Sequence, residues 1–142
     1  MKKLIVLVIA IATATSLQAQ SEIADSTLIK EAVLNYIENF FENDFDAMNE
    51  SLHPRLAKRG LNQDGLTISQ DFPPDKLKEL MASKQKLSLN DQKNTVKDIS
   101  VYDNMASASL FTGYPRVRWV ELIHLVKQEG KWKIINVFWE FI

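Results

Sequence analysis

The chain has no cysteine and only two histidines, His53 and His124, in its 142 residues. Without thiols there can be no disulfide, so stability has to come from a packed core alone. Nor is there a cysteine near the N-terminus to carry a lipid anchor. Two imidazoles and no thiolate leave too few ligands for a zinc site of the usual type, and no metal site is expected. A phosphate-binding glycine loop is missing, as is an evident activated nucleophile. No stripe of lysine and arginine stands out that would follow a phosphate backbone, which argues against nucleic acid as a partner. Beyond the N-terminus no apolar run approaches the roughly 20 residues needed to span a bilayer.

What is present begins with an unusual start. Lys2 and Lys3 are followed by an unbroken apolar run from Leu4 to Ala12 and a more polar stretch, Thr13 to Ala19, ending on small residues. That layout predicts a secretory leader over residues 1–19, cut ahead of Gln20 with Leu17 and Ala19 at the −3 and −1 positions. The apolar core is about half the length of a membrane-spanning helix. The expected product is therefore an exported protein, periplasmic or secreted. Removing Lys2 and Lys3 from the 17 basic residues, against 18 acidic ones, leaves a net charge near −3. The remainder, 20–142, is the size of one domain and enough to enclose a core and a modest pocket.

From Ser26 to Glu42 the apolar residues Ile29, Val33, Tyr36, Ile37, Phe40 and Phe41 fall on one helical stripe, opposite Lys30, Glu31, Asn35 and Glu38. Asn43-Asp44 breaks this helix. Phe45 to Leu52 reads as a second, stopped by Pro54, because a residue before proline is pushed out of helical geometry. Arg55 to Ser69 carries Gly60, Gly65 and an Asn-Gln-Asp-Gly turn signal, which suggests a small hairpin or an irregular loop. Pro73-Pro74 opens a third helix running to about Lys86. After Asn90 the period becomes two: Thr95–Tyr102, Met105–Tyr114, Arg116–Gln128 and Lys131–Ile142 predict four antiparallel strands. The fold class expected is α+β, with helices first and a meander after them.

The last hairpin is the most informative. With Glu129-Gly130 as a two-residue turn, residues whose numbers sum to 259 should face each other. One face would then carry Trp119, Glu121, Ile123, Leu125, Trp132, Ile134, Asn136, Phe138 and Glu140. The other would carry Arg118, Val120, Leu122, His124, Ile135, Val137, Trp139 and Phe141. Both are substantially apolar, whereas a simple sheet backed by helices would leave one face polar. The second face is expected to pack on another copy of the chain as a homodimer, or to be covered by the Arg55–Ser69 segment. The first mixes aromatics with Glu121, Asn136 and Glu140, the combination a small-molecule site requires.

The long amphipathic helix, a second helix ending in Leu52-His53-Pro54, and a long hairpin containing Gly130-Lys131-Trp132-Lys133-Ile134 resemble the NTF2-like superfamily. Within it the chain is similar to the bacterial lumazine-binding group, related to the SnoaL-like and ketosteroid-isomerase-like families. The resemblance is carried by Ile29–Pro54 and Arg116–Phe138. It implies a cone, a strongly curved antiparallel sheet wrapping the N-terminal helices with a pocket at the open end. It also implies dimers through the outer face of the sheet and a pterin-like ligand.

Three functions follow from this frame. A binder of a small, partly aromatic ligand would use Tyr36, Phe40, Trp119, Glu121, Asn136 and Phe138, and needs no cofactor. An isomerase or dehydratase would in addition need a buried acid or base, and the residues able to serve are Tyr36, His53, Asp103, Glu121 and His124. Each also has an ordinary structural role open to it: a core aromatic, a helix end, a turn, a rim charge, a packed imidazole. No Asp–His pair falls on the expected pocket face, so binding is favoured over catalysis. A dimeric interaction module would need neither pocket nor acid.

Overall fold

The computed structural model describes residues 20–142 with their side chains, and the expected leader, residues 1–19, lies outside them. In helix α1 (Lys2–Glu42), the stripe Ile29, Val33, Tyr36 and Ile37 is buried in full. The helix stops at Asn43, which takes the left-handed conformation (φ 60°) that asparagine tolerates. Asp44 then caps α2 (Phe45–Asn49), its carboxylate accepting from the Ala47 N–H at 3.0 Å. The chain continues through β1 (Leu52–Gly60), α3 (Pro74–Ser83), a 3₁₀ turn at Leu89–Asp91, and then β2 (Thr95–Tyr102), β3 (Met105–Tyr114), β4 (Val117–Gln128) and β5 (Lys131–Phe141).

The strands form one curved, unclosed sheet in the order β1-β5-β4-β3-β2. The four expected strands are present as an antiparallel meander. The Glu129-Gly130 turn has positive φ at both positions (51° and 75°), as a tight hairpin turn of the right twist demands. Strand β1 was not expected. It pairs parallel to β5 at the edge of the sheet, where a proline costs no ladder bond. The second helix accordingly ends at Asn49, and Leu52-His53-Pro54 opens a strand instead of closing a helix. His53 serves its own strand, its Nδ1 accepting from the Arg55 N–H at 3.0 Å.

A second correction concerns register. From the turn to the Leu125–Ile134 pair, the ladder between β4 and β5 follows the expected sum. Then the register shifts by one between His124 and Leu125, so that His124 faces Asn136, Leu122 faces Phe138, and Glu121 faces Trp139. One extra residue in β5, at Ile135, is a β-bulge, and it reverses every side chain beyond it. Val137 turns into the core. Asn136 and Phe138, expected on the pocket face, point to the outer face of the sheet beside His124 and Leu122.

The inner face packs Leu110, Ile123, Leu125, Ile134 and Val137 beneath α1, and α3 adds Leu77 and Met81. At the closed end Asp25 accepts from Lys127 Nζ at 2.7 Å and from Trp132 Nε1 at 3.0 Å, tying α1 to the base of the last hairpin. At the other end the helix and sheet diverge, and the core opens.

Candidate functional site

The divergence leaves a cavity of about 610 Å³, within the usual range for small-molecule sites. Phe40 and Phe41 come to it from the last turn of α1, Leu77 and Leu80 from α3, Trp119 from β4, and Trp139 and Phe141 from β5. Their rings form a continuous wall. Phe40 meets Phe41 at 5.8 Å between centroids, Phe41 meets Trp119 at 5.7 Å, Trp119 meets Phe141 at 6.2 Å, and Phe141 meets Trp139 at 5.3 Å. Three of these contacts are edge-on or near it and one is tilted, arrangements aromatic quadrupoles favour.

Against this apolar wall stands one polar cluster, built from three elements. Lys58 of β1 places Nζ 2.6 Å from Glu121 Oε1 of β4, and donates to the Tyr36 hydroxyl of α1 at 2.7 Å. The Tyr36 hydroxyl donates in turn to Glu121 Oε2 at 2.8 Å, and Trp119 Nε1 donates to Oε1 at 3.1 Å. Tyr36, Lys58 and Glu121 are all buried. Burial first, and the Glu121 charge second, push the Tyr36 hydroxyl well above its ordinary value of 10.0, so it remains a proton donor. Both Glu121 oxygens are engaged by donors. The carboxylate is therefore held in place by a closed network of donors.

At the rim, Lys84 lies over the Phe40 ring at 4.7 Å and donates to the Phe41 carbonyl at 3.2 Å. Burial holds its ammonium below the ordinary 10.5. Lys86, Leu87 and Tyr114 complete the mouth.

Of the residues singled out in the sequence, the structure brings Phe40, Trp119 and Glu121 to this cavity, with the Tyr36 hydroxyl bonded to Glu121 behind it. Asn136 and Phe138 are not among its lining residues, for the bulge described above. Trp139 and Phe141, assigned by strict alternation to the opposite face, take their place. His53 and Asp103 are elsewhere, in β1 and at the β2–β3 turn, and His124 sits on the outer face 3.1 Å from Asn136 Nδ2. Among the described residues no group of three or more histidines, cysteines or carboxylates could hold a metal, and no helix is long and apolar enough to cross a membrane. Lys58 was missed because a lysine in an unassigned segment reads as solvated surface. Its only signal is its place between Leu56 and Gly60, in step with two other buried positions.

A sequence family described as "Putative lumazine-binding" matches residues 24–140. The chain belongs to this lumazine-binding family. A comparison with curated proteins finds no match. Among solved structures, this lumazine-binding family member is similar to an NTF2-like protein of unknown function from Shewanella baltica OS155, with a TM-score of 0.74 and 20% identity over 84% of this chain and 95% of that one. An NTF2-like protein of unknown function from Silicibacter pomeroyi DSS-3 gives 0.74 and 13%, covering 84% and 97%. A ketosteroid isomerase-like protein from Erwinia carotovora atroseptica SCRI1043 gives 0.61 and 17%, covering 82% and 95%. At these identities the likeness is one of fold: the α+β architecture is the NTF2-like fold.

Proposed function

We propose that this protein binds a small, partly aromatic ligand in the cavity between α1, α3 and the β4–β5 hairpin. The observation that carries this reading is the pairing of a wall of five aromatic rings with a single buried polar cluster, Lys58–Glu121–Tyr36. The rings supply stacking area and the cluster supplies orientation, the division of labour common to small-molecule sites. The description of the family supports a fused-ring heterocycle as the ligand class. The chain acts as an exported homodimer, with the leader removed ahead of Gln20 and the outer sheet face of each copy against the other.

Titration of the chain from Gln20 with lumazine, followed by quenching of tryptophan fluorescence, tests the binding reading directly. Trp119 and Trp139 border the cavity, so saturable quenching at one ligand per chain is expected. Native mass spectrometry after incubation with an extract of the source cells extends the test to other ligands. No quenching and no added mass would overturn the reading in favour of an interaction role.

One observation favours a second reading. The Tyr36 hydroxyl, held between an ammonium and a carboxylate, is an acid within reach of a cavity, as an isomerase or dehydratase would need. Glu121→Gln separates the two. It should abolish turnover if the cluster moves protons, and only weaken binding if the cluster anchors a ligand.

A further inference from the structure

The charges around the cavity are unbalanced. Three of the residues lining it are lysines, Lys58, Lys84 and Lys86, and only one, Glu121, is acidic. Glu121 is fully committed to Lys58, Tyr36 and Trp119. Among the described residues no carboxylate lies within 4.0 Å of Lys84 or Lys86. A partly buried ammonium facing an apolar wall is costly unless something compensates it.

Lys84 is also held in place. Its backbone N–H closes the last turn of α3 on the Leu80 carbonyl at 3.2 Å, and its carbonyl accepts from Asn43 Nδ2 at 2.8 Å. Leu87, three residues on, donates its N–H to the Phe41 carbonyl at 2.9 Å. The rim segment is thus pinned to the end of α1 at the lysine itself and three residues beyond it. Of the three ammonium hydrogens, one goes to the Phe41 carbonyl. No other protein oxygen among the described residues accepts from this nitrogen, while the Phe40 face lies beneath it. The arrangement is a preorganised cation with donors to spare, set on an aromatic ring at the mouth of an aromatic pocket.

We infer that the natural ligand is an amphipathic anion, an aromatic or otherwise apolar body bearing a carboxylate that Lys84 receives at the rim. The inference rests on the ligand-binding reading above and adds the charge of the ligand and the residue that selects it. The apolar body enters along Phe40, Trp119 and Phe141, and the carboxylate stays at the mouth. It does not compete for Lys58, whose partner is already 2.6 Å away.

Isothermal titration calorimetry with 2-naphthoate and 2-naphthamide isolates the charge, because the two share one ring system and nearly one shape. The wild-type chain should bind the carboxylate about tenfold more tightly than the amide, the scale of one charge-assisted hydrogen bond. Lys84→Met should abolish that preference and leave amide affinity within about twofold, whereas Lys84→Arg should retain it. Raising the salt concentration should narrow the wild-type preference, since the rim is partly exposed, and this measurement stands even if a variant fails to fold. Equal affinities in the wild type, or a preference that survives in Lys84→Met, would overturn the assignment while leaving the pocket a ligand site. If neither compound binds, this assignment falls, while the ligand-binding reading is decided separately by the lumazine titration and native mass spectrometry.

Discussion

Lys58 and Glu121 form a buried ion pair, and such pairs are double-edged. Each charge loses its hydration on burial, and their attraction restores it only if the remaining hydrogen-bonding positions are filled. Here Tyr36 and Trp119 fill them. Removing one partner is therefore worse than removing both. Lys58→Met leaves the Glu121 carboxylate buried without its counter-charge and should cost about 3–5 kcal/mol. Lys58→Met combined with Glu121→Leu should cost much less than the sum of the single changes, because no unpaired charge is left behind. Urea denaturation of the four members of this cycle checks both statements. Additive losses would mean that the two side chains stabilise the fold independently, and the closed network would be the wrong picture.

Elements decide which side chains meet, and one inserted residue in β5 decides most here. The bulge lies where Ile134 and Ile135 follow each other, and two adjacent isoleucines satisfy either alternation. Nothing in the pattern announces it. The α1 stripe, the Glu129-Gly130 turn and four of the strands were legible because each rests on local spacing or turn chemistry. The identities of Trp139 and Phe141 as cavity residues were not, because they depend on a register that changes partway along a ladder. Strand β1 was hidden for a related reason: Pro54 and Gly60 punctuate it, and one of its buried residues, Lys58, is a lysine. Gly60 is needed there, since a Cβ would overlap the Trp139 side chain and carbonyl. The corrected register makes a paired expectation. Trp139→Ala should weaken ligand binding, whereas Phe138→Ala should leave it unchanged, as titration of each variant will report; the reverse result would restore the unbulged ladder. A second contact between elements is sensitive to acid. Hydrogen bonds from Lys127 and then Trp132 hold the Asp25 carboxyl below its ordinary 3.8. A carboxyl depressed in the folded state stabilises the fold above 3.8, and that contribution is lost as pH falls through the lower folded value. The difference in Tm between the wild type and Asp25→Asn should thus be greatest near neutral pH and shrink below 3.8. A difference that stays constant with pH, followed by circular dichroism, would remove the ion from the argument.

At the scale of the whole molecule, the sheet's second face sets the question. The bulge carries Phe138 onto it beside Leu122, and Val120 and Phe111 continue the row across β4 and β3. Leu122 is 53% exposed, at the centre of a face on which Phe138, Val120 and Phe111 are interspersed with Ser107, Ser109, Asn136 and Glu140. One chain offers α1 to the inner face and nothing comparable to the outer one among the described residues. The Arg55–Ser69 segment, the other candidate cover, is partly consumed as β1 within the sheet itself. The symmetric contact between two copies proposed above would bury the row against its own image, and such isologous dimers are the commonest closed assembly. His124 and Asn136, hydrogen-bonded to each other, would lie within or beside that contact. Leu122→Glu places two like charges face to face across it and should convert a dimer to a monomer, read by sedimentation velocity at micromolar concentration. Because Leu122 lies on the opposite face of the sheet from the cavity that Glu121 lines, the monomer should keep its secondary structure and its affinity for ligand. A wild-type chain that sediments as a monomer would sink the dimer outright. A monomeric variant that also loses its ligand would show instead that the two faces of the sheet are coupled, and that the pocket is complete only in the assembled pair.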